Sequence, residues 1–406
     1  MNKLYYLLLS IILMFTTTSC CDDDAYSPPS PPSPPTPSLV NAEKTIFMYL
    51  PWTASKTSLS GSLRSFFLDN ISDIEKGIVS DGGLKNNRLL IFMVDSVTPT
   101  KEKAILMEVK YKSGHCYRDT LETFTAANMP VYTSADGLAN VLLKVKNTAP
   151  AQQYGMLIGC HGLGWLRSSE PTRMPTRYFG GMTKAFQMDT PDLAEAISKA
   201  GMKMQYIMFD DCYMSTIEVA YDLRKVTTHL MACTSEIMGY GMPYSKMWSA
   251  LAKPEPDYQA INDAFFNFYS SYSYPYGAFG ITDCTHIDEM AAVMKKINAT
   301  HSFNIADTVH VQKLDGFRNT IFYDMDSYVK QLCANANLYN EFSAVLAKMV
   351  PYKSVTPSIY TDYRELPSPY IPVTHFSGIT ISDPTVSGYH SASTSKMTTD
   401  WWKATH

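Results

Sequence analysis

The sequence predicts an α/β fold, a mostly parallel sheet with helices on both faces. Three observations carry this. Apolar runs of strand length recur at 45–50, 88–94, 154–160, 204–210 and 229–234, each bounded by turn or polar residues. Stretches with helical spacing of apolar residues stand between several of them. The chain has 406 residues, 45% hydrophobic and 18% charged, which is ample for one large core.

In chain order, strand 45–50 is followed by a helix near 59–76 and then by strand 88–94. Residues 104–111 alternate apolar and polar and read as a further strand at a hairpin edge. A helix over 137–146 leads into strand 154–160. The next helix opens at Asp189-Thr-Pro-Asp192, where Pro191 suits an early helical position and Asp192 complements the helix dipole. It feeds strand 204–210. Apolar residues at Met214, Ile217, Ala220 and Tyr221 predict a helix directly after Cys212, with strand 229–234 beyond it. The aromatic-rich 258–276 reads as packed helix and loop, and 277–283 as a strand before a helix over 286–296.

Ahead of this domain lies a leader. Lys3 gives a positive start, residues 4–15 are apolar, and small residues 16–19 precede Cys20. That is a signal peptide of lipoprotein type, with Cys20 as the acylated residue; the apolar part is too short to span a bilayer. Cys21-Asp22-Asp23-Asp24 follows, an acidic run like the surface-export signal of some Gram-negative lipoproteins. Pro28 to Pro37 is a polyproline tether. The expected organisation is a leader over 1–19, a tether over 20–42 and a domain over 43–406. Its C-terminal extension, from about residue 255, packs on the rest.

Net charge is −4 and no strong basic patch is present, which argues against nucleic acid as a partner. The domain's cysteines, at 116, 160, 212, 233, 284 and 333, lack CxxC spacing, so no metal site is expected. Most sit in or beside strands and read as buried free thiols.

Two strands end in reactive side chains. One reads Tyr154-Gly-Met-Leu-Ile-Gly-Cys-His161-Gly162. The other reads Met204-Gln-Tyr-Ile-Met-Phe-Asp210-Asp211-Cys212. Taken singly, a Cys after an apolar strand is an inert core thiol and a His before Gly a turn residue. Taken together, they stand at the same point of two similar strands, and functional groups of open α/β sheets gather past the strands' carboxyl ends. A Cys and a His gathered there make a nucleophile and its base. The N–H groups of Gly162 and Cys212 are candidates to hold an oxyanion. A helix starting after Cys212 would favour its thiolate.

These segments resemble the clostripain-like cysteine peptidases, relatives of caspases, legumains and gingipains. The likeness rests on His161-Gly162-Leu163-Gly164-Trp165, on Asp210-Asp211-Cys212-Tyr213-Met214 and on Glu218-Val219-Ala220-Tyr221-Asp222-Leu223. It is strong over 154–244 and weaker outside. Leu163 stands where the family pattern has Gly. Asp211 stands where it has a small residue, adding a negative charge that raises a neighbouring thiol's pKa.

The resemblance implies a caspase-like three-layer sandwich and a cysteine endopeptidase with a His161–Cys212 dyad. It implies cleavage after basic residues, Arg ahead of Lys, with Asp210 as the acid that receives the substrate's cation. It also implies that Ser235 and Glu236, in the loop 234–244, wall the substrate pocket. Relatives often cut themselves between the His and the Cys, where Arg167, Arg173, Arg177 and Lys184 lie. Some depend on calcium, but no Asp-rich loop of ligand spacing is visible, and no cofactor is expected.

The expected partners are a protein or peptide substrate and outer-membrane lipid through acylated Cys20. The expected state is a monomer at the bacterial cell surface. Two other readings are a surface binding lipoprotein with a silent thiol, and a Cys–His amidase acting on cell-wall peptides.

Overall fold

The computed structural model describes residues 41–52, 63–96, 103–125, 127–128, 133–166, 179–181, 186–362, 368–386 and 392–406. The leader with Cys20, the polyproline tether, the start of the first expected helix, and Arg167, Arg173, Arg177 and Lys184 lie outside the described residues. The unit from Val40 to His406 is described by itself.

Its frame is a nine-stranded sheet. The strands in chain order are β1 (Ala42–Leu50), β2 (Asn87–Ser96), β3 (Lys103–Lys112), β4 (His115–Thr125) and β5 (Ala151–Gly159). Two short strands follow, β6 (Phe179–Gly180) and β7 (Gln187–Met188), then β8 (Met204–Asp210), β9 (Thr227–Cys233) and β10 (Ala278–Asp283). The last are β11 (Tyr323–Asp324), β12 (Tyr352–Val355), β13 (Ser358–Tyr360), β14 (Tyr370–Pro372) and β15 (Thr380–Ile381). The large sheet runs β12-β10-β9-β8-β5-β1-β2-β3-β4. Its five central strands, β9-β8-β5-β1-β2, are parallel, and both wings are antiparallel.

The central strands are buried from both faces, which explains their continuous apolar runs. On one face pack α1 (Arg64–Ser80), α5 (Tyr244–Leu251) and α6 (Tyr258–Ser270), over a core that includes Ile71, Tyr206, Met231 and Trp248. On the other pack α2 (Ala135–Thr148), α3 (Thr190–Lys199), α4 (Ile217–Leu223) and α7 (Ile287–Asn298). The same layer holds α8 (Met325–Leu332), α9 (Ala336–Met349), and the C-terminal α10 (Ala392–Ser395) and α11 (Asp400–Thr405). The architecture is therefore three-layered, as expected.

The strand expected at a hairpin edge is β3: β4 pairs with it antiparallel as the second arm of the hairpin and becomes the outer strand, with most of its residues exposed. One expectation needs correction. The helix after Cys212 begins only at Ile217, because Thr216 caps it by accepting the Val219 N–H at 3.2 Å. Residues 212 and 213 form a turn, and 214 and 215 belong to no regular element.

Candidate active site

Strands β5 and β8 are parallel neighbours, with Gly159 opposite Asp210. His161 lies two residues past the end of β5, where it exchanges backbone hydrogen bonds with Gly180, His161 N to Gly180 O at 3.1 Å and Gly180 N to His161 O at 2.8 Å. Trp52, just after β1, packs its ring on the imidazole with centroids 5.0 Å apart. Cys212 lies two residues past β8. The close approach of the two ends depends on Gly162. A Cβ there would stand 2.6 Å from the Cys212 carbonyl oxygen and 2.7 Å from the Asp211 Cβ.

Burial singles out the two residues. From Gly155 to Leu166 every residue is buried except His161, and from Tyr206 to Ala220 every residue is buried except Cys212. Each is partly open to solvent at the tip of its strand.

The turn after the nucleophile candidate is strained. Tyr213 has φ of 60°, the left-handed region, which costs a non-glycine residue roughly 1–2 kcal/mol. Three contacts hold it there. Its N–H donates to the Ser235 carbonyl at 3.1 Å, its ring stacks on Phe322 at 4.8 Å, and its hydroxyl donates to Glu236 Oε1 at 2.7 Å. Glu236 also accepts from Thr361 Oγ1 at 2.7 Å and from the Asp362 N–H at 2.9 Å. Its carboxylate thus ties the turn to the β13–β14 hairpin. Ser235 is buried, and its hydroxyl donates to the Glu236 carbonyl at 3.3 Å.

Burial, then the Glu236 charge, push the Cys212 thiol well above its ordinary value. The thiol is raised where a helix-stabilised thiolate was expected. The Ile237 N–H, 3.5 Å from Sγ, acts in the opposite direction. Asp211 faces away from Asp210, toward β5. Its Oδ1 accepts the Cys160 N–H at 2.6 Å, and the Cys160 thiol reaches Oδ2 at 3.3 Å. Burial raises the Asp211 carboxyl to about 8, and, as expected from the sequence, its charge is one of the smaller causes that raise the Cys212 thiol.

Asp210 points to the opposite face of the sheet. Oδ2 accepts from Asn70 Nδ2 at 3.0 Å and from the Tyr244 hydroxyl at 2.9 Å. Oδ1 is buried and has no hydrogen-bond partner meeting good geometry. Burial raises this carboxyl to about 6, opposed by the Tyr244, Met242 and Asn70 donors.

Asn70 and Trp52 were not singled out by their sequence, and Ile237 and Tyr244 only as part of the loop 234–244. Two signals were available. Asn70 is a polar residue inside the apolar stripe of α1, between Phe67, Ile71 and Ile74. Trp52 follows a parallel strand at its carboxyl end, as His161 does. Among the described residues, no group of three or more His, Cys, Asp or Glu is arranged to hold a metal ion. All six cysteines of the domain are free thiols.

The model of the clostripain family, Peptidase C11, matches residues 54–365. The chain belongs to the clostripain family. This family member is similar to a secreted C11 cysteine protease from Bacteroides thetaiotaomicron, iotapain, at 42% identity and a TM-score of 0.81, covering 90% of this chain and 100% of that one. It is similar to an inactive zymogen C11 protease from Parabacteroides distasonis, at 26% identity and a TM-score of 0.73, over 90% and 99% of the two chains. A clostripain from B. thetaiotaomicron ATCC 29148, in complex with the peptide inhibitor BTN-VLTK-AOMK, is 44% identical over 56% of this chain and 99% of that one, with a TM-score of 0.54. No curated protein gives a significant match. The clostripain-family chain is a cysteine peptidase with a caspase-like α/β fold.

Proposed function

We propose that this peptidase is an endopeptidase cleaving after basic residues, with His161 and Cys212 as its dyad. One observation carries the dyad: along two neighbouring parallel strand ends, only these two side chains emerge from burial.

The thiol of the free enzyme is protonated, so the first step couples attack to deprotonation. His161 takes the proton as Cys212 Sγ adds to the scissile carbonyl carbon. The N–H groups of Gly162 and Cys212 hold the oxygen as it becomes negative. The intermediate collapses, His161 returns the proton to the leaving amine, and a thioester remains. Water, deprotonated by His161, then releases the acid and restores the thiol.

Asp210 receives the substrate's cation. Its buried Oδ1 lacks a partner, and its carboxyl, raised only to about 6, is ionised at neutral pH. In the 44% identical clostripain, the inhibitor peptide reads VLTK, with lysine last before the AOMK group. Ser235 and Glu236 wall the pocket. The Glu236 carboxylate is already engaged with Tyr213, Thr361 and Asp362, so its part is to shape the wall. Acylated Cys20 anchors the enzyme to the outer membrane at the cell surface, facing protein or peptide substrates as a monomer. Among the described residues no helix is long and apolar enough to cross a membrane.

The raised thiol favours one competing reading, a binding lipoprotein with a silent cysteine. A thiol-reactive peptide probe with a basic end residue separates the two. It labels Cys212 in the wild type and not in His161→Ala, if the dyad works. Asp210→Asn should cost at least about tenfold in kcat/KM on basic substrates, the lower end for a truncated buried charge pair. A small neutral alkylator should still label that variant. Equal losses on neutral and basic substrates would make Asp210 a structural residue.

A further inference from the structure

We infer that Ser382 is a positioning residue of the active site, a brace that bonds the loop carrying His161 to the segment carrying Cys212. The inference rests on the reading of His161 and Cys212 as the dyad.

Residues 378–383, which include β15, hold the Cys212 side first. The Ser215 carbonyl accepts the Thr380 N–H at 3.0 Å and the Thr380 hydroxyl at 3.1 Å. In return, Ser215 Oγ donates to the Gly378 carbonyl at 2.9 Å. Thr216, the cap of α4, forms a parallel bridge with Thr380. Two residues on, the Ser382 N–H donates to Glu218 Oε1 at 2.8 Å, in the first turn of α4. The same residue then reaches the His161 side. Trp165, four residues past His161, donates its indole N–H to Ser382 Oγ at 2.8 Å. Backbone and hydroxyl of one serine thus bond to opposite members of the site.

The two loops also touch directly, through Gly162 against Cys212 and through Gly164, where a Cβ would stand 3.0 Å from the Tyr213 carbonyl oxygen. Such contacts stop the loops from closing further but do not stop them from parting. Hydrogen bonds resist parting, and here they are shielded. Ser215, Thr216, Glu218, Thr380 and Ser382 are at most 2% exposed, and Trp165 4%. Water cannot take the place of a partner at that depth, so each bond is costly to open. A large ring with one polar atom, such as Trp165, is fixed in orientation when that atom is bonded. The C-terminal segment therefore sets the separation of the two reactive side chains, beyond covering the sheet.

The test measures kcat and KM of the full chain on one peptide with a basic residue before the scissile amide, beside a thermal melt. Ser382→Ala removes the hydroxyl, and Trp165→Phe removes the indole N–H. Each should lower kcat about tenfold and keep KM within about twofold, since misplacing the reacting groups costs rate and not ground-state binding. Both variants break the same bond, so the double variant should lose no more than the worse single one. Thr399→Ala is the control for a merely structural role. Thr399 lies in the same C-terminal region and caps α11, accepting the Trp402 N–H at 3.1 Å. Its loss should lower the melting temperature by a few degrees and leave kcat unchanged. Wild-type kcat in Ser382→Ala or in Trp165→Phe overturns the inference. So do losses that multiply in the double variant, or a control that loses as much kcat. If Ser382→Ala does not fold, Trp165→Phe decides alone. If the basic probe labels Cys212 in the wild type and not in His161→Ala, while Ser382→Ala keeps its kcat, only the brace falls. If His161→Ala is labelled as well as the wild type, the dyad reading beneath it falls too.

Discussion

Gly162→Ala tests the geometry that brings the His161 and Cys212 strand ends together. The added methyl would lie 2.6 Å from the Cys212 carbonyl oxygen, 2.7 Å from the Asp211 Cβ and 3.1 Å from Met214 Cγ. A comfortable C···O contact is about 3.3 Å or more, so the two ends must part by roughly 0.7 Å. Neither of the two nearest atoms can swing aside. One is backbone, and the other is the Cβ of Asp211, whose carboxyl is pinned by the Cys160 N–H. Overpacking of this kind costs about 1–3 kcal/mol of stability. A displacement approaching 1 Å between reacting groups costs up to about 10²-fold in rate. We expect kcat/KM to fall by about 10- to 100-fold, measured with a peptide substrate beside a thermal melt. Gly82→Ala is the control. Gly82 also has a left-handed φ, +76°, but nothing lies within 4 Å of its would-be Cβ. It should lose about 1–2 kcal/mol of stability and keep its activity. If Gly162→Ala retains wild-type kcat/KM, or loses no more than the control, the strand-end argument is wrong.

Other outcomes follow from the same structure. Cys20→Ala should move the protein from the membrane to the soluble fraction; persistent acyl labelling would transfer the anchor to Cys21. Asp211 has a folded pKa raised to about 8, so the folded state binds the extra proton between about pH 4 and 8. The stabilisation is full below about pH 4 and is lost as pH rises through 8. The wild type should therefore lose stability relative to Asp211→Asn across that window, by up to about 1.4 kcal/mol per pH unit, and a constant difference would refute it. Tyr213→Phe removes the hydroxyl that reaches Glu236 and should cost about 1–3 kcal/mol in urea unfolding, with an unchanged midpoint counting against the clamp.

The sheet was legible because its central strands are apolar along their length, so 45–50, 88–94 and 204–210 fall inside the observed strands and 229–234 overruns β9 by one residue. Positions 161 and 212 were legible for the same reason, since they stand where the apolar runs stop. β4 was not: its sequence, His-Cys-Tyr-Arg-Asp-Thr-Leu-Glu-Thr-Phe-Thr, carries charges on an exposed edge and lacks a buried pattern. The helix start at Ile217 was misread because the strain at Tyr213 comes from its packing, which residue type does not encode. The partners of Asp210 stand 140 and 34 positions away in the chain, and those of Glu236 stand 23, 125 and 126 positions away. Such pairings are fixed by the tertiary fold, and local patterning carries no trace of them.

The interior placement of β5 has a consequence for any maturation cut between Arg167 and Lys184. Upstream of such a cut lie β1 to β5; downstream lie β8, β9, β10 and β12. The β5–β8 ladder, from Tyr154 opposite Met204 to Gly159 opposite Asp210, runs through the middle of the sheet and zips the two pieces together. The severed enzyme would remain one particle with both reactive residues in place. Its unfolding, however, would no longer be an event within one chain. The fragments would separate, and recovery would require two molecules to meet, so the melting point would depend on protein concentration. Refolding in dilute surroundings would be slow or absent, and the lifetime of the cut enzyme would be set by how fast it comes apart.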